Sequence, residues 1–256
     1  VTATIVHGVR GSASHINDSA TKQGERTHMA AGGVTQAEKD GAEKYSRAVL
    51  AAYDTFVLKW SNTYAWRCPR ERLLTHYNTH LRARHLDIGP GTGWYLHQAK
   101  YPSAAPEITL MDLNANTMAM TNRRLADRNI TPAVHTGSVL APIDPSVGVF
   151  DSVAANFVFH CVPGTWAEKG QAFGHIAQVV ADDGVFFGST ILGTGVDHNL
   201  VGNALYNGPI KAFDNTTDDP GGRQTALSAA FESVDITVVG TVAIFAAHRP
   251  RRTPAP

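Results

Sequence analysis

Cysteine is nearly absent: the chain of 256 residues has two, Cys68 and Cys161, far apart and outside any C-x-x-C pattern. That excludes a disulfide framework. It reads as two reduced thiols, so a cytoplasmic setting is expected. Neither sign of charge is in excess, because 22 Lys and Arg balance 22 Asp and Glu. A nucleic-acid groove or an anionic membrane surface would show as a basic surplus or basic clusters, so neither partner is expected. No run approaches the roughly 20 apolar residues of a membrane span. The stretch up to Gln36 lacks the apolar core of a secretory signal. No Gly-Lys-Ser/Thr occurs, which excludes a P-loop. "HYNTH" sets His76 and His80 four apart without a following Glu, so no metal is expected there. The partner class left is a small molecule.

Hydrophobic residues make up 43% of the chain, enough for a sizeable core. Residues 1–34 are rich in Gly, Ser, Thr and His and poor in large apolar residues, which reads as a flexible arm. Tyr45, Val49, Ala52, Phe56 and Val57 then recur at helical spacing. "SNTYAWRCPRE" interrupts, and Pro69 restarts a helix over "RERLLTHYNTHL". Residues 35–82 are therefore expected to form a helical lid. Beyond them short apolar runs alternate with helical stretches. Strands are expected at 84–88, 108–112, 133–137, 149–155, 184–191, 233–240 and 242–249. Helices are expected at about 93–101, 114–128, 165–182 and 197–207. The alternation predicts an α/β core over 83–249 with a mostly parallel sheet, followed by a frayed tail at 250–256. The last two strands have almost nothing between them and must pair as an antiparallel hairpin.

The most informative stretch is "HLDIGPGTGWYL", residues 85–96. An apolar run ends in Asp87, and Gly89, Gly91 and Gly93 follow at alternate positions. Glycines let a backbone turn sharply and approach a ligand closely. The strand end before a helix is where α/β sheets bind ligands. A dinucleotide site wants G-x-G-x-x-G, and here Trp94 occupies the third glycine position.

An acid before G-x-G-x-G, a second acid in "LMDLN", and "FDSVAANFVFHCVPG" further on resemble the class I S-adenosylmethionine-dependent methyltransferases over residues 84–248. The resemblance implies a Rossmann-like seven-stranded sheet of order 3-2-1-4-5-7-6 with the last strand antiparallel. It implies S-adenosylmethionine as cofactor, its amino-acid end held by Asp87, Gly89, Gly91 and Gly93. Asp112 would take the ribose hydroxyls, with Leu113 beside the adenine. Ser138, in "HTGSVLAP", would contact the adenine where an Asp is common. Asn156 would lie at the cofactor, and Phe157 on the acceptor side.

Methyl transfer is an in-line displacement, so the protein mainly aligns the acceptor and excludes water. A base helps only where the acceptor must lose a proton. His160, just after the fourth strand, is the candidate catalytic residue: base, substrate contact or structural histidine. Tyr64 and Trp66 are candidates to wall the acceptor pocket, the alternative being a staple between lid and core. Arg67 is a candidate for the cofactor carboxylate, or a helix cap. After the fifth strand, His198 and Tyr206 are expected near the substrate, with Asp197, Asn199 and Asn207 in the same polar segment. The expected reaction is methylation of a small, aromatic acceptor, with indole C-methylation as the narrow reading and an N- or O-methyltransferase of an amine or phenol as the alternative. A nicotinamide-dependent oxidoreductase and a non-catalytic binding module are the readings from other classes. A homodimer is a further expectation.

Overall fold

The computed structural model describes residues 54–206, 213 and 215–252. The expected arm, the first part of the lid, Asn207 and most of the tail lie outside them. One sheet of seven strands runs β3-β2-β1-β4-β5-β7-β6. The strands are β1 Arg84–Ile88, β2 Glu107–Asp112, β3 Ala133–Thr136, β4 Phe150–Asn156, β5 Val180–Ile191, β6 Phe231–Val239 and β7 Val242–Pro250. β1 to β5 pair in parallel, and β7 is antiparallel to β5 and to β6. The expected order and the expected hairpin are both present.

A wide-turned helix, Asp54–Ala65, ends with Trp66 N–H bonded to Ser61 O, five residues back. The α-helices are α1 Arg70–His80, α2 Trp94–Gln98, α3 Ala115–Ala126, α4 Trp166–Lys169, α5 Gln171–Ala177, α6 Leu200–Tyr206 and α7 Pro220–Ala230. They cover both faces of the sheet. Leu73 and Tyr77 of α1, Leu96 of α2 and Leu125 of α3 pack on one face with Phe187. Phe173 and Ile176 of α5 and Leu227 of α7 pack on the other with Phe186 and Phe245. Phe186 and Phe187 point to opposite faces because side chains alternate along a strand. α1 thus belongs to the core layer, with the Tyr77 ring 5.4 Å from that of Phe187.

Three elements depart from expectation. The helix placed at 165–182 is two short ones that meet at Gly170, and it stops at Ala177. β5 begins at Val180, and an irregular register between Phe150 and Ser152 of β4 absorbs its extra length. α7 was not foreseen, because Gly221 and Gly222 depress helix propensity. Its start signals are nonetheless ordinary: Asp219 accepts the Gly222 N–H at 2.9 Å, and Pro220 stands in the first turn.

A fully buried ion pair ties the loops at the carboxyl ends of β4 and β5. Lys169 Nζ lies 2.6 Å from Asp218 Oδ2. It also donates to the carbonyls of Phe159 and Val162, in the loop after β4. The Asp218 carbonyl accepts the N–H groups of Gly193 and Thr194, after β5. Asp218→Ala would leave a buried ammonium without its counter-charge. The expected loss is about 3–5 kcal/mol of unfolding free energy, measured by urea denaturation.

Acid should also destabilise the fold. Burial, then His76 and His248, lowers the His80 pKa from 6.5 to about 4, and burial lowers that of His76. Between those values the unfolded chain binds protons that the native state refuses. Stability is then lost as pH falls from about 6.5 towards 4. A calorimetric Tm that declines through this window, and declines less in His80→Gln, is the expected outcome.

Candidate active site

The chain leaves β1 for one face of the sheet and β4 for the other, and the crevice between the two exits is where α/β sheets bind ligands. A cavity of about 180 Å³ lies there, walled by the turns after β1, β2, β3 and β4. Asp87, Gly89 and Gly91 supply the first wall, Asp112 and Leu113 the second, Ser138 the third, and Asn156 and Phe157 the fourth.

The three glycines of the first turn all take left-handed φ, at 62°, 58° and 73°, but they serve different purposes. A Cβ on Gly89 would lie 2.6 Å from Val158 Cγ2, so this glycine lets the β4 turn close over the end of β1. A Cβ on Gly91 would meet nothing within 4 Å. That is the open place where a ligand approaches the backbone. A Cβ on Gly93 would lie 2.7 Å from Thr121. Gly93 seats α2 on α3 and is not part of the cavity wall.

Asp112 Oδ1 accepts the Asn114 N–H at 2.9 Å, and Oδ2 accepts the Thr117 hydroxyl at 2.6 Å. A carboxylate has about four acceptor sites, so capacity remains for a diol in the cavity. Burial raises the Asp112 pKa, while the Thr117 and backbone bonds oppose that rise. Ser138 Oγ accepts the Leu140 N–H at 3.0 Å, which shapes the third turn. Asn156 Oδ1 accepts from Ser189 Oγ at 3.0 Å. Its Nδ2 is buried, with no acceptor among the described residues. Phe157 follows at φ 56°, a left-handed conformation rare for an aromatic residue, held by its N–H on Ser189 O at 2.7 Å. Strain of this kind concentrates at functional sites.

The remaining expected residues lie outside the cavity wall. Trp66, His198 and Tyr206 do come together, and Phe213 joins them. The Trp66 ring is 5.4 Å from Phe213, Tyr206 stacks on Phe213 at 4.9 Å, and His198 lies 5.0 Å from Tyr206. His160 links this cluster to the cavity, with its ring 5.3 Å from Phe213 and 5.8 Å from Phe157. Burial, then the Lys169 and Arg223 cations, push its pKa from 6.5 to about 3. At neutral pH the ring is uncharged and too weakly basic to hold a proton. Arg67 donates to the Asp197 carbonyl, away from the cavity. Tyr64 is 59% exposed and lies beside Trp60, not in the pocket.

Sequence reasoning did not assign a site role to Trp94, Thr117, Cys161 or Phe213. The first three line the cavity. Trp94 had a readable signal in its place directly after Gly93, and the Arg70 guanidinium covers its ring at 4.6 Å. Phe213 stacks on the nearby Tyr206, but its contacts with Trp66 and His160 arise only in the fold.

The residues present fit S-adenosylmethionine. An acid and an open left-handed glycine stand at one end, and a second acid stands on the neighbouring strand for a diol. The unpartnered Asn156 amide sits between them and the aromatic side. Among the described residues no helix is long and apolar enough to cross a membrane, and no cluster of three or more potential metal ligands occurs.

A family profile described as "Methyltransferase domain" matches residues 86–186. The chain is 37% identical to "Physcion biosynthesis cluster O-methyltransferase" of Aspergillus chevalieri, over 82% of this chain and 96% of that protein. It is 37% identical to "Demethylluteothin O-methyltransferase" of Streptomyces thioluteus, over 84% and 93% respectively. Among solved structures it resembles N-methyltransferase NodS from Bradyrhizobium japonicum in complex with S-adenosyl-L-homocysteine. That likeness has a TM-score of 0.56 at 11% identity, over 85% of this chain and 100% of that one.

Two substitutions test the cradle. Asp112→Ala should weaken S-adenosylmethionine by about tenfold or more through loss of charged hydrogen bonds to the ribose. Gly91→Val should abolish binding, since the side chain would enter the ligand's space and strain a positive φ. Calorimetric titration checks both, and wild-type affinity in either variant would place the cofactor elsewhere.

Proposed function

The chain belongs to the class I S-adenosylmethionine-dependent methyltransferases, and from that premise we propose that it methylates a hydroxyl oxygen on a small, flat, conjugated acceptor of secondary metabolism. The observation that carries this reading is the apolar wall after β4, where Phe157 lines the cavity with Val158 and Val162 and is backed by the packed rings of His160, Phe213, Tyr206 and Trp66. A flat aromatic face of this kind suits a planar acceptor and offers nothing to a charged polymer. The two relatives named above are both O-methyltransferases. The narrower expectation of indole C-methylation draws no support from them and gives way to oxygen as the acceptor atom. Family membership leaves no support for a nicotinamide-dependent oxidoreductase, and similarity to named methyltransferases favours catalysis over a non-catalytic module.

Bound in the cavity, S-adenosylmethionine supplies a methyl group already activated on a positively charged sulfur. The chain's part is to align and to exclude water. Phe157 presents an apolar wall after β4, and the Asn156 amide proton offers one directed hydrogen bond beside it. His160 serves as a positioning residue behind Phe157. With its pKa near 3 it does not take the acceptor's proton. An acceptor acidic enough to ionise by itself, such as a phenol or a ring enol, therefore fits better than an alkyl alcohol.

The experiment is incubation of the protein and S-adenosylmethionine with a panel of phenols, cyclic enols, arylamines and indoles, with products located by mass spectrometry and NMR. Oxygen-methylated phenols or enols are expected, and products methylated only on nitrogen or carbon would overturn the assignment. The pH profile of kcat/KM should follow the acceptor's own pKa and stay in place in His160→Gln. An inflection near 6.5 that disappears in this variant would restore His160 as the base.

A further inference from the structure

The cofactor-facing acid is held from behind by a chain of hydrogen bonds drawn from three elements. Tyr77, on α1, donates its hydroxyl proton to Asp87 Oδ2 at 2.6 Å. His85 Nε2 lies 2.9 Å from the same hydroxyl oxygen. On the other side of the ring, His85 Nδ1 lies 2.8 Å from Ser152 Oγ, which accepts the Arg82 N–H at 2.9 Å. Tyr77, His85 and Ser152 are fully buried, and Asp87 is 4% exposed.

Proton counting gives the chain a direction. The single Tyr77 proton goes to Asp87, so the Tyr77 oxygen accepts from His85 Nε2–H. In the neutral ring Nδ1 is then an acceptor, and the Ser152 hydroxyl fills it. The Ser152 oxygen in turn accepts from Arg82 N–H. Every donor points towards the carboxylate, an arrangement in which each bond polarises the next. Burial and the neighbouring Asp87 charge hold the Tyr77 pKa well above its usual value, so the phenol remains a donor.

The sheet builds this arrangement from local rules. His85 and Asp87 are two apart on β1 and share the face beneath α1. Ser152 is the register partner of His85 on β4. Tyr77 reaches the cavity by a second route as well, since its ring stacks at 5.6 Å on that of Tyr95, which lines the wall.

We propose that Tyr77 is a positioning residue for the cofactor. Backed by His85 and Ser152, it fixes the Asp87 carboxylate through Oδ2 and leaves Oδ1 for the amino-acid end of S-adenosylmethionine. The helix before the methyltransferase domain is then part of the cofactor site, though none of its atoms touches the ligand. This inference rests on the cofactor assignment above.

The test is calorimetric titration of full-length wild type and Tyr77→Phe with S-adenosylmethionine and S-adenosylhomocysteine. The variant keeps the ring and its stacking and removes one hydroxyl. Both Kd values should rise by about tenfold, as expected for loss of a hydrogen bond to a charged group. kcat at saturating cofactor should stay within about twofold, because the lost contact acts on binding. His85→Gln, which keeps a donor near the Nε2 position, should bind both ligands more tightly than His85→Leu. Wild-type Kd values in Tyr77→Phe, with only a lowered Tm, would show that the chain serves stability alone and would overturn the proposal. If wild type itself binds neither ligand, the cofactor assignment falls first and the proposal with it.

Discussion

Everything at the site depends on the divergence of the chain at β1 and β4. The two strands lie side by side, yet their following segments pack on opposite faces of the sheet. No helix can cover the edge where they part, so a crevice is left open there. The crevice works only if the backbone after β1 stays low enough to admit a ligand, and that is the demand on Gly89 and Gly91. Gly89 admits the neighbouring turn, and Gly91 keeps the space clear. Both positions take a left-handed φ that costs glycine nothing, and a side chain would strike Val158 at Gly89 and enter the ligand's space at Gly91.

The loops that bound the crevice would be loose without a tie, and the buried Lys169–Asp218 pair supplies one. Its ammonium gathers two carbonyls of the loop after β4, and the backbone of Asp218 gathers two N–H groups after β5. A buried ion pair is often no more stabilising than an apolar pair of equal volume. What it adds here is register, since each loop is fixed at a named carbonyl or N–H. Burial, and then the same cationic surroundings, lower the His160 pKa.

The parts of this design legible in the sequence were those encoded locally. The acid in β1 with the glycines after it, the second acid at the end of β2 and the closing hairpin are each encoded within a few residues, and the structure brings Asp87, Gly89, Gly91 and Asp112 to one cavity. Helix ends were less legible. Gly221 and Gly222 hid α7, and "VADDG", which scans as the tail of a helix, is instead the start of β5. The third glycine stands outside the cavity wall, and the motif does not say that a Cβ at Gly93 would strike Thr121. Long-range partners were illegible altogether. Tyr77 comes back to His85 as the chain turns from α1 into β1, Ser152 joins them only because β4 pairs with β1, and Phe213 meets Trp66 across most of the chain.

The two halves of the site obey different physical rules. On the cofactor side, Asp87 is buried and Asp112 partly buried, and each carboxylate is bonded to neighbours that anchor it before any ligand arrives. Fixed charges of this kind require no rearrangement when a cationic ligand binds, which is how a preorganised site gains over water. On the acceptor side Phe157 gives an apolar wall, and burial holds His160 behind it neutral. A reaction that joins the two needs no proton moved by the protein if the acceptor arrives as an anion. The opposite charges of a sulfonium and a phenolate then attract strongly in the low-dielectric cleft. In the proposed reading, the cationic sulfonium would offset the cost of holding a phenolate against an apolar wall, and acceptor acidity would take the place of protein basicity.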